Sequence, residues 1–170
     1  MAYTQLREQR TMRNAWRFVL CIWILFIWIH SMFPGPVSSG ESMMFVTVLK
    51  PIFHLFGVFD AELMHHIVRK CAHFTEYLIL AVLSVLALEP RLRVPWWPAV
   101  QTCLIWVIVP VVDESIQLHV PGRGGSPVDV LIDMSGFALG LVISLTVRHI
   151  REARGPQKGN RRARGQHVTR

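Results

Sequence analysis

Asp113 and Glu114 close a long uncharged apolar run, and Gln117 follows within one helical turn. A second apolar run opens on Lys70, His73, Glu76 and Tyr77, and a third opens on Asp129 and Asp133. Arg123 lies in the linking stretch Pro121-Gly122-Arg123-Gly124-Gly125-Ser126-Pro127. Such groups suit two kinds of chemistry. Lys70 and Arg123 would hold a phosphate or carboxylate, Glu76, Asp113 and Glu114 would bind amide or hydroxyl groups, and Tyr77, Gln117 and Asp129 would complete the ligand site. If a reaction occurs, His73 would be its general acid or base, oriented by Glu76, with Arg123 stabilising developing charge. Asp113 and Gln117 are four apart, as are Asp129 and Asp133, so each pair shares a helix face. The glycines beside Arg123 would let backbone N–H groups approach an anion, although the spacing is not that of a P-loop. His54, His65, His66, His73 and His119 could build a zinc site with the carboxylates, but no pair shows HExxH-type spacing, so no metal is expected, and no other cofactor is expected either. Cys21, Cys71 and Cys103 form no CxxC pair and read as small apolar packing residues.

The elements that carry these residues are apolar blocks. The chain has 170 residues, 52% of them hydrophobic, with a net charge of +7. The charges fall between the blocks, and nearly uncharged runs of about 18 residues or more read as membrane-spanning helices. The first block, Phe18 to Phe33, is anchored by Trp16 and Arg17. A signal peptide fits it less well, because no small-x-small cleavage site follows directly. Pro34 to Ser42 is a turn-rich break. Residues 43–59 are apolar, but Lys50-Pro51 argues against one continuous span, so a short helix at the membrane surface, or partly re-entrant, is expected. Asp60 can cap a helix over Ala61 to Leu88, with Glu62, His66, Arg69, His73 and Glu76 in one stripe. That helix would be about 42 Å long, more than a hydrocarbon core of about 30 Å requires. Glu89 to Arg93 makes a basic turn. Val94 to Val112, entered through Trp96 and Trp97, is the third span, and Val128 to Val147 is the fourth. The expectation is an all-α membrane protein: a bundle of four transmembrane helices with a short interfacial helix in the first outer loop. Residues 1–15 would be a basic cytoplasmic tail, 16–148 the transmembrane domain, and 149–170 a basic disordered tail.

Charge sets the orientation. One side of this topology carries 14 of the 18 Lys and Arg residues, and the other holds only Lys50, Arg69, Lys70 and Arg123. The first side is therefore expected to be cytoplasmic, with both termini. Every charge that intrudes into an apolar run then sits at the outer face. A proton-coupled transporter fits poorly, because the inner halves of the spans are plain apart from Gln101. The basic tails suit anionic inner-leaflet lipid, and no nucleic acid is needed to explain them. Gly136 and Gly140 form a GxxxG that packs a helix closely, either within the bundle or against a second copy.

Taken in order, Arg69-Lys70-x-x-His73-Phe74-x-Glu76-Tyr77, Asp113-Glu114-x-x-Gln117, Pro121-Gly122-Arg123 and Ser126-x-x-Asp129, followed by Gly136 and Gly140, resemble the VanZ-like family. The segment from His30-Ser31 through Ser38-Ser39 and Ser42 resembles that family's first outer loop. The resemblance covers most of residues 16–148. It implies a multi-pass protein of the bacterial cell (inner) membrane, in a family whose namesake is associated with teicoplanin resistance. A ligand of the cell envelope, either a lipid-linked wall precursor or a glycopeptide, is the expectation that follows, with a lipid head-group hydrolase or transferase as the alternative. Asp133 departs from the family's usual Asn and adds a negative charge near Asp129, so no role is carried over to that position.

Overall fold

The computed structural model describes residues 2–89 and 96–154. Five helices follow one another: α1 (Ala2–Ser31), α2 (Gly35–Leu55), α3 (Ala61–Leu88), α4 (Trp97–Gln117) and α5 (Pro127–Arg154). No strand occurs among the described residues. α1, α3, α4 and α5 are long and apolar enough to cross a membrane, and α2 contributes a shorter apolar segment, Ser42–Leu55. The expected all-α bundle of four spans with an extra helix after the first is therefore observed.

Local chemistry sets most boundaries. Asp60 Oδ1 accepts the Glu62 N–H at 2.9 Å and starts α3, as its position before Ala61 suggests. Glu89, at φ 49°, closes α3 in the left-handed conformation, donating its N–H to Val85. Ser126 Oγ accepts the Val128 N–H at 3.2 Å, and Pro127 takes the first position of α5.

Several boundaries differ from expectation. The break after α1 shrinks to Met32–Pro34, because Pro36 sits in the first turn of α2 and begins it. Pro51 lies inside α2 without ending it. The missing N–H leaves only the Thr47 carbonyl without its helical partner, on an exposed face where water or head groups can meet it. The polar N-terminal stretch, whose arginines are spaced as along a helix, is helical from Ala2 in agreement with that spacing, and it runs without a break into the first span. α5 runs on to Arg154, so residues 149–154 are helical rather than disordered, and an i,i+4 pair between Arg148 and Glu152 lies in that last stretch. The three cysteines are exposed on the helix surfaces, not packed inside. The basic turn at 90–93 and the tail from 155 lie outside the described residues.

α3 is the central post. Gly136 and Gly140 of α5 lie against it, and a Cβ on Gly136 would run into the Phe74 carbonyl, on Gly140 into the Leu78 carbonyl. The GxxxG therefore serves packing within the bundle. Three indoles tie the remaining seams. Trp23 Nε1 donates to the Glu76 carbonyl (3.1 Å), Trp28 Nε1 to that of Val109 (3.4 Å) and Trp106 Nε1 to that of Met134 (2.9 Å). Leu20, Ile27, Leu80, Ala81 and Phe137 fill the middle. Large apolar side chains such as Ile22, Leu25, Ile108, Val142 and Ile143 face outward. Such a surface suits hydrocarbon as its solvent. α2 packs Val46, Leu49 and Phe53 on Met64 and Val68, at the start of α3.

Candidate functional site

The end of α1, the first half of α3, the end of α4 and the start of α5 meet at one end of the bundle. Ser31, the last residue of α1, donates its hydroxyl to Asp113 of α4. Gln117, one turn further along α4, donates to Asp113 and Glu114, each at 3.3 Å, and accepts from Arg69 of α3 at 3.1 Å. The Ser126 backbone N–H donates to Glu114 Oε2 at 2.9 Å, which fastens the start of α5 to the end of α4. Lys70 of α3 pairs with Asp129 of α5. Each partner reaches the other because helical spacing puts it on the inward face of its own element.

The loop over this cluster is pinned, not loose. Gly35 N–H donates to the Pro121 carbonyl at 3.1 Å, and a Cβ on Gly35 would collide with the Gly122 backbone. Gly122 itself takes φ 74°, a conformation glycine adopts without strain. Arg123 reaches back to donate to the His30 carbonyl at 3.3 Å. Burial pushes the pKa of its guanidinium down, and the nearby positive charge of Arg69 adds to the effect.

Below the loop the cluster is buried. Asp113 and Asp133 are fully buried, Glu114 is 4% exposed and Tyr77 has no exposed surface. His73 Nδ1 lies 3.6 Å from Asp133 and 3.9 Å from Asp113. Glu76, in contrast, faces His30 at 3.6 Å. The carboxylates that flank His73 are thus Asp113 and Asp133, and the expected His73–Glu76 pairing is not formed. Glu76 is one turn along α3 from His73, and its side chain turns towards α1 instead. Both carboxylate oxygens of Asp133 are buried without a hydrogen-bond partner among the described residues. A cavity of about 120 Å³ adjoins the cluster, lined by Arg69, Lys70, His73, Glu114, Asp129 and Asp133 among others.

The sequence singled out Lys70, His73, Asp113, Glu114, Gln117, Arg123 and Asp129, and the fold brings them to one end of the bundle. Tyr77 lies in the same region, near Asp113. His66 reaches the cavity edge, whereas the His54 ring lies tilted against that of Phe59 and His119 is exposed. Two α1 residues were missed as site members, His30 and Ser31. Their signal was position, since they are the only polar side chains at the end of an otherwise apolar run. The role of Asp133 as the second carboxylate on His73 was also missed.

The cluster gathers five carboxylates (Glu76, Asp113, Glu114, Asp129, Asp133) and three permanent cations (Arg69, Lys70, Arg123). It can therefore hold a cation deep inside and an anion at its basic rim. Residues 16–148 match the family model described as VanZ/LLP1. No curated protein and no solved structure matches the chain.

Proposed function

The chain belongs to the VanZ/LLP1 family, and from that membership and the polar end of its bundle we propose that it binds an anionic molecule of the bacterial cell envelope. The ligand is a lipid-linked wall precursor or a glycopeptide, and binding it contributes to glycopeptide resistance. The polar end faces outward and both termini are cytoplasmic, in keeping with the bias of Lys and Arg towards the other end. One observation carries this reading: Arg69 and Lys70 line a cavity at the mouth of a buried polar cluster built from four helices. Charged side chains at membrane depth cost about 2.5–3.5 kcal/mol each on the insertion scale. A cluster of this size exceeds what locking the helices together requires. Arg123, which holds the loop over the cluster, would shape the mouth and add charge to it. The arginines at the opposite end would meet anionic lipid of the inner leaflet.

Native mass spectrometry of protein purified in mild detergent tests the reading. A phosphorylated polyprenyl lipid should be retained by the wild type and at least tenfold less by Arg69→Ala and Arg123→Ala. If lipid is absent from all three, a glycopeptide added to delipidated protein should bind the wild type selectively. Equal, non-selective phospholipid in every sample together with no glycopeptide binding would overturn it.

The imidazole of His73 between two carboxylates favours a second reading, a hydrolase or transferase acting on a lipid head group. Turnover of a bound lipid that is lost in His73→Gln while binding persists would select it.

A further inference from the structure

His73, Asp113, Glu114 and Asp133 each offer one ligand atom within 4.8 Å of all the others, and all four residues are buried. We propose that these four residues form a binding site for one divalent transition-metal cation of the Zn²⁺ or Mn²⁺ class. A cluster of acids alone would not carry this. Asp133 does, because its side chain is fully buried, points into the cluster and has no hydrogen-bond partner for either oxygen among the described residues. Leaving buried polar atoms unsatisfied costs about 1–3 kcal/mol, more when they are charged. Protonation would not satisfy them, since a carboxylic acid hydroxyl also needs an acceptor and no described residue is in hydrogen-bonding position to be one.

The neighbouring cations do not answer the need. Lys70 is held by Asp129 and Arg69 by Gln117, while Arg123 spans the loop to the His30 carbonyl. Counted as fully ionised, the five carboxylates exceed the three permanent cations by two, the charge of one divalent ion. His73 Nδ1 is buried without a hydrogen-bond partner among the described residues and faces Asp133 and Asp113. It is therefore placed to give a lone pair to a metal. The donor set narrows the metal. One imidazole with three carboxylates suits borderline Zn²⁺ or the harder, carboxylate-preferring Mn²⁺, not the thiolate-seeking Cu⁺ and not the all-oxygen cages preferred by Ca²⁺. Ligand atoms around such an ion stand about 3–4 Å apart, so binding would draw the four groups slightly inward.

The first shell also has support behind it. Asp113 accepts from Ser31 and Gln117, and Glu114 accepts from Gln117 and the Ser126 N–H. Such partners orient ligating carboxylates and are part of the usual construction of a metal site. His73, Glu114 and Asp133 also line the adjoining cavity, so an open coordination position would point into it. There a water, or a phosphate oxygen of the anionic ligand, would complete the shell. That last step rests on the envelope-ligand reading, whereas the metal site does not.

The test uses metal alone, on full-length protein without a histidine tag. The protein is stripped with a chelator, incubated with Zn²⁺ or Mn²⁺, desalted and analysed for metal by mass spectrometry. About one equivalent should remain on the wild type and on His119→Ala, an exposed-histidine control. Asp133→Asn and His73→Gln should each retain at least tenfold less. Because a variant could fail to fold, Mn²⁺ bound to the wild type is also examined by pulsed electron paramagnetic resonance. Nitrogen coupling from one imidazole should appear. No stoichiometric metal on the wild type, or retention equal in Asp133→Asn, or bound Mn²⁺ without nitrogen coupling, would overturn the proposal. Failure of the lipid experiment leaves this result unaffected, because no anionic ligand is present in it.

Discussion

The two ends of the bundle carry charges on the same helices and handle them in opposite ways. At the polar end, Asp113, Glu114, Gln117 and Asp133 are drawn inside, and the first three are joined to α1, α3 and the start of α5. At the basic end, Arg10, Arg13, Arg148 and Arg151 line an open groove of about 950 Å³ whose walls include Trp16, Leu86, Ile143 and Val147. Long arginine stems can lie along apolar surface while their heads stay wet. Short carboxylates cannot, so an Asp in the interior depends on whatever partner the fold supplies. Charge at one end is therefore part of the architecture, and at the other it decorates a surface that lipid head groups can meet.

The largest effect is expected where that architecture converges. Asp113→Ala removes the acceptor shared by Ser31 and Gln117 and one of the two carboxylates beside His73. Breaking a buried charged network by deleting one member costs about 3–5 kcal/mol. The variant should show a clearly lowered thermal midpoint in detergent, measured by intrinsic tryptophan fluorescence. A midpoint within a degree or two of wild type would mean that the polar end contributes little to stability.

A smaller effect of opposite sign should sharpen the contrast within that end. Asp133, unlike Asp113, has no hydrogen-bond partner among the described residues, so its carboxyl group is a burden in the absence of a cation. Asp133→Asn keeps the shape and removes the ionisable carboxyl group. Chelator-treated Asp133→Asn should be more stable than chelator-treated wild type by about 1–3 kcal/mol, while losing metal-dependent stabilisation. If both proteins melt together with and without metal, Asp133 is a packing residue.

Much of this contrast was legible in the chain. The four apolar blocks announce themselves by length, and Asp60 marks the start of α3 to the residue. The grouping of polar residues at one end followed from topology alone, because each enters its apolar block from the same side. Partner choice was not legible. His73 and Glu76 are three apart and share a stripe, yet His73 turns to α4 and α5 while Glu76 turns to α1. Spacing along one helix says which residues share a face, not which neighbouring helix divides that face between them. The same limit hid Ser31, whose importance comes entirely from Asp113 lying opposite. It also left the GxxxG undecided until the Phe74 and Leu78 carbonyls were found against Gly136 and Gly140.

The smallest effect belongs to the basic end. Arg148 Nε and Glu152 Oε1 stand 4.0 Å apart, with the Glu152 side chain 62% exposed. Such a pair is worth roughly 0.2–0.5 kcal/mol at most, and less with the acid on the C-terminal side of the base. Glu152 also sits in the last turn of α5, where the helix dipole disfavours an anion, which offsets part of even that. Glu152→Ala should therefore leave the thermal midpoint where it is. It should instead raise affinity for anionic vesicles, because one negative charge leaves a surface where each basic residue contributes about 1 kcal/mol to lipid attraction. Flotation with vesicles containing phosphatidylglycerol, at two salt concentrations, would measure this, and the gain should fade at high salt. A loss of stability comparable to that of Asp113→Ala would show that the basic end is built as tightly as the polar one, and the contrast between the two ends would collapse.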